Sequence, residues 1–188
     1  MPFFGVFMCG IIGIIGPQTL SDTDSPGEFW AAFEAYRGLL TLQHRGQDAA
    51  GILTYNNHDK KFLSEKDLGL ISQVFDQKKI SSLTGNVAIA HTRYATAGSD
   101  DRGDLQPMVT GSPLGVGMAH NGNIVNYHSL AQELREKYRY QLLSTNDLEV
   151  IMRYWCHFFM EGYGQNDKQF SFERAKKTVK KLVETIQG

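Results

Sequence analysis

Cysteine is scarce in this chain: Cys9 and Cys156 are the two among 188 residues. They stand far apart and show no CxxC spacing, which excludes a disulfide framework and a thiolate zinc site. Charge of one sign is lacking too. Nineteen basic residues face 20 acidic ones, for a net charge of −1 and a pI near 6.6, so no electrostatic pull toward DNA, RNA or an anionic membrane is expected. Long apolar runs are also missing. The opening MPFFGVFM continues apolar to Ile15, but Gly5, Gly10 and Gly13 interrupt it and no basic residue precedes it. That is too short for a membrane span and unlike a secretory signal. There is no internal repeat and no linker-like stretch. What remains is an ordinary globular composition, 41% hydrophobic and 21% charged. It is read as one cytoplasmic domain, large enough to bury roughly 70% of its unfolded surface.

Short strands are expected at Cys9–Ile15, Ala49–Tyr55, Lys61–Lys66, Val87–Thr92, Leu114–His120 and around Tyr140–Leu143, each bounded by turn-forming residues. Hairpin loops are expected at Asn56-Asn57-His58-Asp59 and Gly111-Ser112-Pro113. Ser25-Pro26-Gly27-Glu28 reads as a capping box with Pro at the first helical position, opening a helical run that ends near Gly46. Further helices are expected after Asn126, after Asn146 with Glu149 three residues on, and from Phe170 to the Gly188 that would cap it. Strands, a helix, strands and then helices, without strict alternation, predict an α+β fold with antiparallel sheet.

Five islands stand out from this scaffold: Cys9-Gly10-Ile11-Ile12-Gly13, Leu42 to Gly51 (LQHRGQDAAG), His91 to Gly98 (HTRYATAG), His120-Asn121-Gly122-Asn123, and Ser144 to Glu149 (STNDLE). Each has a plain structural explanation. Cys9 in an apolar strand is a small buried hydrophobe. Arg45 and Arg93 are ordinary ion-pair formers. Asn121-Gly122 between apolar segments signals a type I′ turn. Asp147 complements a helix dipole. His44, His91 and His120 lack metal-ligand spacing and read as core or turn histidines.

Taken in order, the islands resemble something more specific. CGIIGI, LQHRGQDAAGI, HTRYATAG, HNGNIVN and STNDLEV are similar, across about 140 residues, to the landmarks of the class II glutamine amidotransferases, which are N-terminal-nucleophile hydrolases. LQHRGQDAAG and RYATAG resemble the phosphoribosyl branch, the amidophosphoribosyltransferases, more than the glucosamine-phosphate synthases. Leu148 stands where the family pattern usually has Ser or Thr.

The resemblance implies hydrolysis of the side-chain amide of glutamine, with Cys9 as nucleophile and its own α-amine as base. A free α-amine and a thiol titrate within roughly one pH unit of each other, so proton exchange between two such groups is nearly balanced. Asn121 and Gly122 would form the oxyanion hole, through a side-chain amide and a backbone N–H. Arg93 would clamp the α-carboxylate of glutamine, Asp147 its α-ammonium, and Tyr94 and Thr96 would complete that loop. Arg45 would shape the pocket near the nucleophile. Such a mechanism requires residues 1–8 to be absent from the active form, as a cleaved leader or because translation starts at Met8.

The implied fold is a four-layer αββα sandwich of two antiparallel sheets between helices. Family members continue past residue 188 into further strands and a phosphoribosyltransferase domain that uses phosphoribosyl pyrophosphate and magnesium. Residues 9–188 are therefore expected to be an incomplete glutaminase domain, homo-oligomeric if full length, with no cofactor or metal of its own. Ammonia would pass to phosphoribosyl pyrophosphate in purine synthesis. A non-catalytic glutamine-binding module, an inactive fragment and a glucosamine-phosphate synthase type enzyme stay open as alternatives.

Overall fold

The computed structural model describes residues 9–16, 27–94, 102–112, 114–161 and 170–188. In chain order its elements are β1 (Gly10–Ile15), α1 (Trp30–Thr41), β2 (Ala49–Asn56), β3 (Lys61–Leu68), α2 (Ile71–Val74), α3 (Gln77–Ser82), β4 (Val87–Arg93), β5 (Met108–Thr110), β6 (Val116–Met118), α4 (Tyr127–Glu136), α5 (Asp147–Met160) and α6 (Phe172–Thr185). The class is α+β, as expected. The chain divides into two compact units, residues 1–108 with 117–121, and residues 109–116 with 122–188.

The first unit is built on a four-stranded sheet in the order β1-β4-β2-β3, with every neighbouring pair antiparallel. One face is covered by α1. Ala31, Ala35 and Leu39 recur at helical spacing and are fully buried, packing with Ile52, Ala88 and Ala90 of the strands. Small residues let this helix sit close: a Cβ on Gly38 would lie 3.0 Å from Ile12 Cδ1. The short helices α2 and α3 close the end of this core with Ile71, Val74 and Ile80. The β2–β3 hairpin turns where expected, because Asn56 Oδ1 accepts the N–H groups of His58 and Asp59 at 2.9 and 3.1 Å, an Asx turn.

Helix α1 starts at Trp30 rather than beside Pro26. Ser25 and Pro26 lie outside the described residues, and Gly27 adopts φ +88, which no right-handed helical turn includes. Of the expected second sheet, the described residues contain the two three-residue strands β5 and β6, shorter than the predicted Leu114–His120.

In the second unit α4, α5 and α6 share a core of Ile124, Leu130, Leu134, Val150 and Tyr154. The Tyr154 hydroxyl donates to Glu133 Oε2 at 2.7 Å. Asn146 caps α5 by accepting Leu148 N–H at 2.9 Å, as read. The predicted strand around Tyr140–Leu143 is not formed. Tyr140 N–H bonds back to Leu134 O at 2.9 Å, and the N–H groups of Leu143 and Ser144 go to Glu149 Oε2 at 2.9 and 2.7 Å. A buried carboxylate supplies the partner that a neighbouring strand would otherwise have given. Gly188 is not the cap of α6 either. The chain leaves the helix after Thr185 because Asn126 Nδ2 donates to Thr185 O (2.9 Å) and Asn126 Oδ1 accepts Gln187 N–H (3.1 Å), while Val125 N–H bonds Gln187 O at 2.6 Å.

Two glycines in the sheet separate close packing from mere flexibility. A Cβ on Gly51 would strike the Gln106 carbonyl oxygen, whereas a Cβ on Gly13 meets nothing within 4 Å. Gly51→Ala should therefore destabilise the fold by about 1–3 kcal/mol, while Gly13→Ala should not, as read from urea unfolding midpoints at constant m-value.

Candidate active site

The site grows from the end of the sheet where β1 begins and β4 finishes. Gly10 pairs with Thr92, so Cys9 stands just outside the ladder, half-buried. Its carbonyl therefore has no strand partner and takes two side chains instead: Asn121 Nδ2 donates to it at 2.6 Å and Arg45 Nε at 3.3 Å. Residues 36 and 112 positions away in sequence thus meet on one backbone oxygen.

The LQHRG motif is moulded against β4. A Cβ on Gly46 would lie 2.7 Å from the Thr92 carbonyl carbon and 2.8 Å from Arg93 N, so only glycine permits this approach. The buried Thr92 hydroxyl donates to Gly46 O at 2.7 Å, and Asp48 N–H bonds Arg93 O at 3.1 Å. Gln43 ties off the turn, donating from Nε2 to Gly46 O (2.6 Å) and accepting Ile71 N–H (2.9 Å). Cys9, Arg45, Arg93 and Asn121 consequently belong to the first unit. Tyr94 is half-buried just beyond β4. Thr96 lies outside the described residues.

Asn121-Gly122 is not the type I′ turn that the dipeptide signals. Such a turn needs positive φ at both residues, and positive φ among the described residues occurs elsewhere, at Lys60, Arg139, Gly27, Gly69, Gly85 and Gly115. The bond from Asn121 to Cys9 holds the backbone in another conformation.

His91 is a core histidine, as read, but not a satisfied one. It is 1% exposed, and neither ring nitrogen makes a hydrogen bond of ordinary geometry. Burial, then the adjacent Arg93 charge, then His120 push it down to about 4, although the His120 backbone leans the other way. The ring is therefore neutral near neutral pH. Three polar side chains of the first unit, half-buried Gln43 and Lys66 and buried Gln106, were not singled out as site residues. Gln43 sits inside LQHRG. Lys66, whose proton affinity burial lowers, donates to Leu105 O and Pro107 O at 2.7 and 3.1 Å. Gln106 Oε1 accepts His120 N–H at 2.7 Å. A Gln followed by Pro inside an apolar segment, Leu105 to Val109, was the available signal for the last.

In the second unit Asp147 opens α5, and its Oδ2 accepts Ile124 N–H at 3.2 Å. This joins the HNGNI and STNDLE islands. Glu149, 3% exposed, also accepts the Ser144 hydroxyl at 2.8 Å and Arg153 Nη2 at 3.1 Å. Leu148, which departs from the family pattern, is 1% exposed, a position where an apolar side chain is favoured. Gly122 also belongs to this unit. Among the described residues, no three His, Cys, Asp or Glu side chains could hold a metal ion, and no helix is long and apolar enough to cross a membrane.

Comparison with known proteins places these motifs in context. The family profile described as "Glutamine amidotransferase domain" matches residues 54–183, a range that includes Arg93, Asn121 and Asp147. The chain is 41% identical over 150 residues to the amidophosphoribosyltransferase of Pseudomonas aeruginosa, covering 80% of this chain and 27% of that one. It is 40% identical over 145 residues to the same enzyme of Escherichia coli, covering 77% and 26%. A solved "allosteric regulatory enzyme of purine biosynthesis" superposes with a TM-score of 0.70 at 31% identity, covering 94% of this chain and 33% of that one. The glutamine phosphoribosylpyrophosphate amidotransferase of B. subtilis, complexed with ADP and GMP, gives 0.68 at 29% identity, covering 95% and 33%. The chain thus spans about a quarter to a third of the length of the relatives it matches.

The buried, unpartnered His91 has a measurable consequence. In the unfolded chain it binds a proton below about 6.5; in the folded protein it does so only near 4. Its contribution is thus fully present above pH 6.5 and is lost as pH falls toward 4, by up to about 3 kcal/mol. Urea titrations from pH 7.5 to 4 should show that slope, and His91→Leu should flatten it.

Proposed function

Because this chain belongs to the glutamine amidotransferase domain family, we propose that it hydrolyses the side-chain amide of L-glutamine to L-glutamate and ammonia. The observation that carries the reading is the Asn121 side-chain amide held 2.6 Å from the carbonyl oxygen of Cys9. A pre-oriented amide donor beside a half-buried thiol is what acyl transfer needs.

The Cys9 sulfur attacks the amide carbon of glutamine while the α-amine of Cys9 takes the thiol proton. The oxyanion that forms is met by Asn121 Nδ2 and by the N–H of Gly122, its neighbour in sequence. As the tetrahedral species collapses, the same amine returns the proton to the leaving nitrogen, ammonia departs and a thioester remains. Water, deprotonated by that amine, then attacks the thioester and releases glutamate. Asn121 carries two N–H donors on one nitrogen, so its bond to the Cys9 carbonyl leaves one for the oxyanion. Arg45 Nε, on the same carbonyl, steadies the nucleophile's own backbone.

Arg93, half-buried at the end of β4, presents a planar fork suited to an α-carboxylate. Asp147 is assigned the α-ammonium, and Tyr94 and Thr96 the remaining contacts of that loop. A free glutamine presents both of these charged ends, and a glutamine within a peptide has neither. Transfer of the ammonia to phosphoribosyl pyrophosphate, giving phosphoribosylamine for purine synthesis, is the wider role we propose, on the strength of the amidophosphoribosyltransferase relatives. The cytoplasm as its compartment accords with two unpaired cysteines. Magnesium, implied for the phosphoribosyltransferase part of such enzymes, finds no ligand set among the described residues, and no step here runs through it.

The mechanism requires a liberated α-amine at Cys9. Protein beginning at Cys9 should release ammonia from glutamine and be labelled at that residue by a glutamine-analogue electrophile; intact mass and peptide mapping check both. Turnover by protein that still carries residues 1–8 would remove the α-amine from the mechanism. Asn121→Ala should lower kcat by about 10²–10³-fold, with KM for glutamine little changed, in steady-state ammonia release.

A further inference from the structure

The hydrogen bond from Asn121 to Cys9 is the end of a longer arrangement. Asn121 is itself exposed, so nothing in its own burial holds its rotamer. The residue before it is held firmly: His120 N–H donates to Gln106 Oε1 at 2.7 Å, and Gln106 is 8% exposed. Because a backbone N–H can only donate, this bond also settles which way the Gln106 amide faces. The segment bearing Gln106 is pinned on both sides. Lys66 Nζ donates to Leu105 O at 2.7 Å and to Pro107 O at 3.1 Å, and the Gln106 carbonyl occupies the space that the missing Cβ of Gly51 leaves open. Strands β2 and β3, which carry Gly51 and Lys66, are paired along eight residues. A rigid hairpin therefore reaches Asn121 through three buried or half-buried polar contacts.

We infer that Gln106 is a positioning residue for Asn121, and that the latch of Lys66 across residues 105–107 sets how the Asn121 amide is presented beside the nucleophile. This rests on the reading of Asn121 as an oxyanion donor. An exposed side chain that must meet a transient charge loses rate if it has to find its orientation in each turnover. Gln106 removes that search by fixing the backbone one residue upstream. Its side-chain oxygen is committed to the His120 N–H, so its effect belongs to the transition state and not to glutamine binding.

The test uses the full chain with Cys9 free. Gln106→Met keeps the length and removes the acceptor; Gln106→Glu keeps an acceptor oxygen at the same place. Per titrated active site, Gln106→Met should lose about tenfold to a hundredfold in kcat with KM for glutamine unchanged, and Gln106→Glu should retain most of kcat. In the Asn121→Ala background, Gln106→Met should cost nothing more, because the two act as one unit. Full kcat in Gln106→Met, or losses that multiply, would overturn the inference. If Gln106→Met does not fold, Lys66→Met releases the latch one step back and is read by the same criteria. Should the wild type release no ammonia, the proposed function fails, and the side-chain NH2 resonances of Asn121 then decide the inference alone. They should move toward free-amide positions in Gln106→Met, and an unmoved pair overturns it.

Discussion

The carbonyl oxygen of Cys9 is the point on which the first unit's chemistry turns. A strand that begins at Gly10 leaves the preceding carbonyl without a ladder partner, and a partly buried peptide oxygen left unpaired is costly. Two side chains answer that need, one from the turn after α1 and one from the segment after β6. Satisfying a backbone group therefore also draws an arginine and an asparagine to Cys9, the proposed nucleophile. The asparagine bond, at 2.6 Å, is the shorter of the two, and the guanidinium bond, at 3.3 Å, the longer. Structure and chemistry share one oxygen atom.

Strand β4 distributes the neighbouring roles by alternation. Thr92 turns into the packing beneath the LQHRG turn, with its hydroxyl on Gly46 O, while period two puts His91 and Arg93 on the opposite face. Burying a neutral, unbonded imidazole beside a guanidinium is unfavourable, yet the sign of its response is useful. A histidine that stays uncharged adds no competing cation beside the residue assigned to the substrate carboxylate.

Most of the first unit's architecture was legible in the sequence because it follows period and turn chemistry. GIIGII, AAGILTY, KFLSEK and VAIAHT read as strands, and NNHD as the turn between the second and third of them, each for a local reason. What escaped was decided by distant partners. Tyr140–Leu143 has strand composition, but its N–H groups are taken by Glu149 and by the end of α4. Asn121-Gly122 has hairpin composition, but the asparagine amide is committed to a carbonyl 112 residues away. Helices α2 and α3 are four and six residues long, too short to show a periodic face. Of the site, the motif residues were legible through their resemblance to a family; Gln43 stood inside one motif without being singled out, and Lys66 and Gln106 lay outside all of them, since an isolated polar residue carries no periodic signal.

Asp147 shows why the plain and the functional readings of a residue need not compete. As the first residue of α5 it stands where a negative charge complements the helix dipole, and its Oδ2 accepts the Ile124 N–H. Both are structural duties. A carboxylate has about four lone-pair sites, so one backbone bond does not exhaust it. In the role proposed for Asp147, that bond restricts the rotation that meeting an ammonium group would otherwise cost. Glu149 extends the same economy one turn further along α5. By collecting the N–H groups of Leu143 and Ser144, the Ser144 hydroxyl and the Arg153 guanidinium, it fixes the approach of the chain to Asn146 and hence the start of the helix that bears Asp147. A fold that first satisfies its buried polar groups has, in doing so, already paid much of the entropy that recognition of a small zwitterion requires.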